Sequence, residues 1–310
     1  MMTKTSVVQS LQIATTIIKS FYHDQSQAAG RYRQWGDDED QKALEEKFIS
    51  FLQERLGLMD VVIENVSHYH TQVKQKLKTL EEKSKVPDNV DEFIFAGSYT
   101  HAKTLESLLE FIEYLVLQSQ NDSTKPNEFV SIGVANIENL WSLFVSGPNF
   151  NSDQNMFLAW INKQRLQQVQ SQQNNYYQLV TKEQNIFTEE EKKFLFTNIL
   201  CNPADVRNMP VSLVKVFHKY FKSINKAENN LNALKKKMKI LRFDQLLGMD
   251  TLWSIALHAG SEKVKEVVHE LLVDLHLKFD HANVTQEHKQ AVINVFVEKC
   301  MAEMESGVVA

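Results

Sequence analysis

The stretch from Phe129 to Ile161, FVSIGVANIENLWSLFVSGPNFNSDQNMFLAWI, decides the fold class of this chain. Its first half places apolar residues three and four positions apart, which is the spacing of one face of an α-helix. Gly147-Pro148 then predicts a turn, and Ser152 and Asp153 suit the N-terminus of a second helix. The apolar faces of the two helices carry Ile137, Leu140, Trp141, Phe144 and Val145, and then Met156, Phe157, Trp160 and Ile161. Two helices this short cannot bury so many large side chains between themselves, so they need neighbouring helices.

The same pattern recurs about 110 residues later, and such self-similarity is the sequence sign of a repeated structural unit. Leu252-Trp253-Ser254-Ile255 corresponds to Leu140-Trp141-Ser142-Leu143, and Gly260 stands where Gly147 stands. A second amphipathic segment follows each glycine. Leucine and tryptophan are common on helix faces, so coincidence is the alternative explanation. The shared order of helix, turn and helix favours a repeat.

Composition favours an all-α fold. The chain has 310 residues, 43% of them hydrophobic, and a net charge of −5, which are values typical of folded globular proteins. Its 9 Gly and 5 Pro are too few for a barrel or sandwich with many tight turns. Strand-like alternation is nearly absent, and its best candidate, Phe129 to Val134, is too short to build a sheet. Successive helix pairs predict an α-solenoid of armadillo or HEAT type with a period of about 40 residues.

We expect two segments along the chain. Residues 1–128 form an N-terminal helical segment with a long hairpin, in which residues 41–85 are one helical tract broken at Gly57. Residues 129–310 form the armadillo-like segment. A glutamine- and asparagine-rich tract at 164–178 is interpreted as a frayed helical extension or a disordered insertion, and it is the best candidate for an internal boundary. Thr188 with Glu191 predicts a capping box. Thr100 predicts a helix start, and the buried stripe of that helix is expected at Leu105, Leu108, Leu109, Ile112, Leu115 and Val116. Thr285 opens the last helix, which is expected to bury Val292, Ile293, Phe296 and Val297.

Cysteine count, hydropathy and charge exclude several classes of protein. The two cysteines, Cys201 and Cys300, predict a reducing compartment without a disulfide framework, and we place the protein in the cytoplasm. No stretch reaches the roughly 18 uninterrupted apolar residues of a membrane span, so we predict no membrane insertion. The slight acidity of the chain argues against a dedicated nucleic-acid-binding protein.

Two charged clusters have simpler explanations than a binding site. The acidic run at 37–40 is expected in a solvated loop, with a basic partner as the alternative. The basic cluster from Lys235 to Arg242 is expected on a solvated helix face. A nuclear-localisation signal or an acidic partner is the alternative for this second cluster.

Histidine and tryptophan positions also favour structural roles. His68 and His70 are two residues apart and point to different helix faces, so they cannot chelate one metal and are expected at the surface. His269 and His276 share a helix face, yet no third ligand joins them at helical spacing, so a zinc site is unsupported. The tryptophans on the apolar stripes are expected in the core. They are Trp141, Trp160 and Trp253.

A collinear series of short motifs resembles part of the helical region of the fat facets-like ubiquitin-specific proteases. These motifs lie between Phe129 and Cys300, over half of the chain. They are Phe129-Val130, Asn136-Ile137-Glu138, Leu140-Trp141, Phe144-Val145, Pro148-Asn149, Phe157-Leu158-Ala159-Trp160, Asn198-Ile199-Leu200, Asn202-Pro203, Phe217-His218-Lys219-Tyr220-Phe221, Ile224-Asn225 and Gly248-Met249-Asp250-Thr251-Leu252-Trp253. The resemblance depends on their shared order and spacing.

This resemblance implies a non-catalytic, armadillo-like solenoid of a very large cysteine protease that removes ubiquitin from substrate proteins. The catalytic domain of that family sits in a different part of the chain. The implied partners are proteins, either ubiquitinated substrates or components of the ubiquitin pathway.

The catalytic motifs of that family are not found in this sequence. The family's nucleophilic cysteine follows a Gly-Asn-Thr run at a helix start, where the helix dipole and free amides stabilise a thiolate. Cys201 instead stands at a predicted helix end, where the dipole disfavours a thiolate, and Cys300 stands within a helix. His258-Ala259-Gly260 lacks the downstream Gly-His-Tyr of the family's histidine box.

We therefore predict no catalytic, metal-binding or cofactor-binding residues, and no enzymatic activity of this chain itself. The leading hypothesis is a protein-binding scaffold segment of a deubiquitinase. One alternative is a small cysteine hydrolase that uses Cys201. Another is an unrelated helical-repeat adaptor with no link to ubiquitin, since solenoids recur without a common function.

Overall fold

The computed structural model describes residues 11–18, 48–83, 85, 89–95, 99–122, 130–163, 165–173, 176–234, 237–240, 242–277 and 285–308. Within these residues the chain forms eleven α-helices and two β-hairpins. The helices are α1 (11–18), α2 (Phe48–Leu56), α3 (Leu58–Glu82), α4 (His101–Asp122), α5 (Val134–Trp141), α6 (Asn151–Asn162), α7 (Glu189–Phe194), α8 (Val211–Ala227), α9 (Met249–His258), α10 (Glu262–Leu277) and α11 (Gln286–Val308). The strands are β1 (Arg165–Gln173), β2 (Tyr176–Gln184), β3 (Leu231–Leu234) and β4 (Lys237–Ile240). The predicted all-α class is confirmed, with the hairpins inserted between helices.

The helices group into two units, residues 1–191 and 192–310. The core of the first unit lies around α4, which packs against α2, α3 and α6. The predicted apolar stripe of α4 is wholly buried, and Thr100 caps the helix through a hydrogen bond from the amide of Lys103. Buried members of the stripe are Leu105, Leu108, Leu109, Ile112, Leu115 and Val116. Fully burying a leucine or isoleucine side chain contributes about 1.5–3 kcal/mol, so this stripe is a main source of stability in the unit.

Gly57 divides the predicted helical tract into the 9-residue α2 and the 25-residue α3. Its φ of 58° lies in the left-handed region, which glycine adopts without the steric cost that a Cβ would bring. The long helix α3 then packs against α4 and α5. Residues 41–47 of the predicted tract lie outside the described residues.

The helix that begins at Val134 changes from α-helical to π-helical hydrogen bonding before the turn at Gly147. After α5 the chain continues as a π-helical turn over Ser142–Ser146, which closes with a hydrogen bond from the amide of Gly147 to the carbonyl of Ser142 at 2.9 Å. An identical device follows α7, where Leu195–Leu200 is π-helical and the amide of Cys201 donates to the carbonyl of Phe196 at 2.9 Å. Such turns add a residue to the helix and rotate its following side chains.

The glutamine-rich tract is a β-hairpin, so its interpretation as a helical extension or a disordered insertion was wrong. Strands β1 and β2 pair antiparallel, with Val169 opposite Val180. Glutamine is not among the residues enriched in strands, and the pairing of backbone groups in the ladder stabilises these strands nevertheless.

The predicted capping box at the start of α7 is confirmed and has a third member. The amide of Glu191 donates to the hydroxyl of Thr188 at 3.1 Å, and the amide of Thr188 donates to Oε2 of Glu191 at 2.7 Å. The other carboxylate oxygen accepts from the amide of Gly133 at 2.6 Å. The buried Glu191 therefore joins the N-terminus of α7 to the N-terminus of α5.

The second unit centres on α8, which packs against α10 and the π-helical turn at Leu195–Leu200. Its core is aromatic: Phe196, Phe217 and Phe221 contact one another with ring centroids 5.5–6.3 Å apart. Gly248 lies against this cluster with a φ of 83°, and a Cβ there would approach the Phe196 ring to 2.7 Å. Only glycine fits this position, because any side chain would clash with the core.

Two predictions for the second unit need correction. The basic cluster does not lie on a helix face, because Lys237–Ile240 is strand β4, paired with β3. Lys235 and Lys236 lie outside the described residues. In α11, Val292 is buried as predicted, whereas Val297, also expected in the core, is exposed.

Candidate functional site

A buried chain of three hydrogen-bonded side chains joins α3, α4 and α6. The hydroxyl of Tyr69 lies 2.8 Å from Nδ1 of His101, and Nε2 of His101 lies 2.9 Å from Oδ1 of Asp153. All three side chains are at most 2% exposed. The sequence places His101 in the first turn of α4 and Asp153 in the first turn of α6, so two helix starts meet on the middle of α3. We call these three residues the polar joint.

The directions of the two hydrogen bonds follow from chemistry. Burial raises the pKa of the Tyr69 hydroxyl, so this group keeps its proton and donates to His101. His101 then accepts at Nδ1 and donates from Nε2 to the Asp153 carboxylate, which is the arrangement of one neutral imidazole tautomer. Every proton in the joint therefore points toward Asp153.

A second layer of polar groups lies beside the joint. Nδ2 of Asn149 donates to Nδ1 of His70 at 3.0 Å, and the His70 ring packs edge-on against Phe144. Burial lowers the pKa of His70 to about 4, with Asp153 opposing the shift. His70 was predicted to lie at the surface, and it is buried; His68, two residues earlier, is exposed as expected. Residues two positions apart point to different faces of a helix, so His70 lies on the face of α3 that packs into the core while His68 faces solvent.

The hydroxyl, imidazole and carboxylate of the joint follow one another as they do in a catalytic triad. The side chains packed around them, however, leave no space for a substrate. The rings of Phe95 and Phe150 pack edge-on against His101, with centroids 5.2 and 5.4 Å away. A general base must come within about 3 Å of the proton it removes, and this shell leaves no room for a reacting molecule. The arrangement therefore stabilises the packing of three helices, α3, α4 and α6.

The second unit contains a comparable joint built from amides. Oδ1 of Asn225 accepts from the amide of Leu247 at 2.8 Å, and Nδ2 of Asn225 donates to the carbonyl of Leu247 at 3.0 Å. Nδ2 of Asn230 donates to the carbonyl of Gln245 at 2.7 Å and to Oδ1 of Asn225 at 3.3 Å. These two buried side chains tie the loop that precedes α9 to the end of α8.

The structure places Cys201 in an environment that disfavours a thiolate. It follows the π-helical turn at Leu195–Leu200 and is half-buried against Gly248. Burial raises the pKa of its thiol to about 11, against a smaller opposing effect of Thr251. The thiol therefore stays protonated at neutral pH, as the sequence-based argument from the helix end expected.

The remaining candidate residues are dispersed. His258 is exposed at the end of α9, where Nδ1 lies 3.1 Å from the carbonyl oxygen of Ser254. His269 is exposed, whereas His276 is buried among the rings of Phe243, Trp253 and Phe296. Cys300 lies on α11, and like Cys201 it is a free thiol. Within the described part of the chain, no three histidine, cysteine, aspartate or glutamate side chains gather as metal ligands would.

Two of the three tryptophans predicted in the core are buried. Trp160 and Trp253 are 6% and 8% exposed, whereas Trp141 is half-buried and packs edge-on against Phe157. Lys299 lies over the Trp253 ring at 5.7 Å and also binds Asp250 at 3.3 Å.

In the residues for which the structure gives a position, the helices all lack the length and hydropathy needed to cross a bilayer.

Residues 1–225 match the family described as UBP24/USP9X/USP9Y ARM repeat. The chain belongs to this family. The fold is accordingly the armadillo-like α-solenoid that the sequence predicted, and the predicted relationship to the fat facets-like proteases is confirmed.

The matched span differs from the extent of the resemblance. It includes residues 1–128, where the sequence motifs were not recognised, and it ends at residue 225, before the second Leu-Trp segment at 252–253. No individual curated protein matches the chain.

Sequence reasoning missed the polar joint. Its three members are separated by 32 and 52 residues along the chain, and no local pattern connects them. Asp153 was assigned only to a helix start. The first turn, Asn151-Ser152-Asp153-Gln154, is polar throughout, so nothing in its composition marks Asp153 as the buried member.

Proposed function

We propose that this chain is a non-catalytic, protein-binding segment of a fat facets-like deubiquitinase. In this proposal the parent protein removes ubiquitin from substrates in the cytoplasm through a separate cysteine-protease domain. The chain holds ubiquitinated substrates or components of the ubiquitin pathway.

The observation that carries the proposal is the use of polar side chains within the described helices. Buried Tyr, His, Asp, Asn and Glu side chains fasten one helix to another, at the polar joint, at Glu191 and at Asn225. Stacked helix pairs of this kind offer an extended surface, which suits protein partners better than enclosure of a small substrate.

The state of Cys201 supports the non-catalytic part of the proposal. Its thiol is half-buried with a raised pKa, whereas catalytic cysteines have a lowered pKa and an accessible sulfur. Cleavage of a ubiquitin–fluorophore substrate by the purified chain tests this directly. We expect no cleavage by the chain or by its Cys201→Ala variant. Cleavage that is lost on substitution would overturn the proposal.

The binding part of the proposal is tested by capture from lysate followed by mass spectrometry. We expect enrichment of ubiquitin-conjugated proteins or ubiquitin-pathway components on the immobilised chain. A heat-unfolded sample of the same chain is the control for non-specific adhesion. Equal recovery on the folded and unfolded chains, or no recovery in several lysates, would refute a binding role.

A further inference from the structure

Four lysines form a stripe along one face of α8. Successive members are four, three and four residues apart, so their side chains leave the helix within one narrow arc. Lys215 and Lys226 are exposed, and Lys219 and Lys222 are half-buried. The helix contains no Asp or Glu, although the chain as a whole has a net charge of −5. The opposite face of α8 is buried, and lysines are the only charged residues on its exposed face.

Neighbouring carboxylates leave most of this charge unpaired. Lys215, Lys222 and Lys226 form no salt bridge with any residue whose position the structure gives. Glu228, just beyond the end of α8, binds Lys193 instead at 2.6 Å. By contrast, the lysines of α3 share their helix with Asp60, Glu64, Glu81 and Glu82.

His218 reports the positive potential at the stripe. This residue precedes Lys219 on α8, and its Nε2 is buried without a hydrogen-bond partner among the described residues. Burial, with a smaller contribution from the charge of Lys222, lowers the pKa of His218 to about 4. Asp274 on α10 opposes the shift. The imidazole is therefore neutral at pH 7 and sensitive to any anion that approaches Lys222.

The chemistry of the face favours one class of anionic partner. All the aromatic residues of α8 lie in its buried face, so none is available for stacking on nucleic acid bases. The helix contains no arginine, which is the side chain best suited to bidentate phosphate binding. Its apolar residues are committed to the core, so it cannot insert into a membrane surface as an amphipathic helix does. The partner that best fits this face is therefore a protein with exposed carboxylates, because a lysine ammonium group can bind a carboxylate without a fixed geometry.

We propose that the lysine stripe of α8 binds a short acidic segment of a partner protein. From Lys215 to Lys226 the helix rises by about 16 Å, which an extended peptide spans with about five residues. A segment with acidic side chains at most of these positions would meet Lys215, Lys222 and Lys226. This inference rests on the proposed protein-binding function and names the surface and the partner chemistry for it.

The test uses the full chain and a fluorescent peptide with a central run of about six Asp and Glu residues flanked by Gly and Ser. We expect saturable binding by fluorescence anisotropy that weakens as salt rises, because the contacts are screened charges. The Lys215→Glu/Lys222→Glu variant should bind roughly tenfold or more weakly. The matched control is Lys74→Glu/Lys78→Glu, which makes the same charge change at exposed positions on α3 and should alter affinity by less than about twofold.

A second readout locates the peptide. Bound carboxylates near Lys222 should raise the pKa of His218, measured by NMR titration of its ring protons, and leave the titration of the exposed His68 unchanged. Equal weakening by the two double variants would overturn the proposal, because only net charge would then matter. Tighter binding of an RNA oligonucleotide or of phosphatidylserine vesicles through the same lysines would also overturn it.

The outcome is separable from that of the proposed function. If the Lys215→Glu/Lys222→Glu variant keeps every partner that the unaltered chain captures from lysate, the binding function stands and the α8 assignment is wrong. Selective loss of partners with acidic segments supports both. A chain that binds the acidic peptide through the stripe but captures no ubiquitin-pathway protein supports this inference and refutes the function.

Discussion

Replacing His101 by Leu should destabilise the first unit strongly. The substitution removes the donor to Oδ1 of Asp153, and Oδ2 of that carboxylate already has no partner among the described residues. Asp153 is 1% exposed, so water cannot replace the lost hydrogen bond. A buried carboxylate that loses its only hydrogen-bond donor costs about 3 kcal/mol or more. For a unit of this size we expect the midpoint of thermal unfolding to fall by at least about 6 °C.

The assay is urea unfolding of the full chain, followed by circular dichroism at constant pH. Tyr69→Phe should cost less, about 1–3 kcal/mol, because it leaves only the Nδ1 acceptor of His101 without its donor. His68→Leu is the matched control on α3, and as an exposed substitution it should change the free energy of unfolding by less than about 0.5 kcal/mol.

A double variant separates the charge from lost packing. If the cost of His101→Leu comes from the uncompensated carboxylate, then His101→Leu/Asp153→Leu should be more stable than His101→Leu alone, by about 1 kcal/mol or more. Additive losses in the double variant, or a loss below about 1 kcal/mol in His101→Leu, would refute the reasoning.

Three further substitutions test other parts of the fold. Glu191→Ala leaves the amides of Thr188 and Gly133 without their acceptor and should cost about 2–3 kcal/mol in urea unfolding, while Glu190→Ala on the exposed side should have little effect. Gly248→Ala should cost about 1–3 kcal/mol in a thermal melt, because a Cβ at this positive φ meets the Phe196 ring; an unchanged melting temperature would contradict the close contact. For His70, the folded pKa of about 4 lies below the unfolded value of about 6.5, so the unfolded state takes up the proton first and stability falls as pH drops from about 6.5 toward 4. His70→Leu should flatten this part of the profile of unfolding free energy against pH, and an unchanged slope would mean that His70 does not contribute.

Local signals in the sequence were sufficient for most of the helices. The apolar stripe of α4, the break at Gly57 and the capping box at Thr188 each depend on residues within one or two turns of one another, so their physics can be read from spacing alone. The helix prediction for the basic cluster was wrong. It relied on the high helix propensity of lysine, whereas the strand β4 is stabilised by pairing with β3. Propensity cannot anticipate a backbone partner supplied by another segment.

The hairpin of β1 and β2 is a second case in which pairing between segments could not be predicted from composition. Its tract is rich in glutamine, so composition indicated an unstructured insertion, whereas Val169 and Val180 stand opposite each other in the ladder. Composition does not reveal such pairing, because the pairing depends on the register between two segments.

The polar joint and the Asn225 joint have a common physical consequence. Apolar helix faces pack nearly as well after a small slide or rotation, because dispersion and burial are not directional. Hydrogen bonds at 2.8–2.9 Å in a dry interior are directional, and displacement of α4 or α6 would leave His101 and Asp153 buried without partners. The joints therefore fix the positions of the helices more sharply than they add to stability. A surface made of successive helices needs that registration, because residues that meet one partner come from several of them.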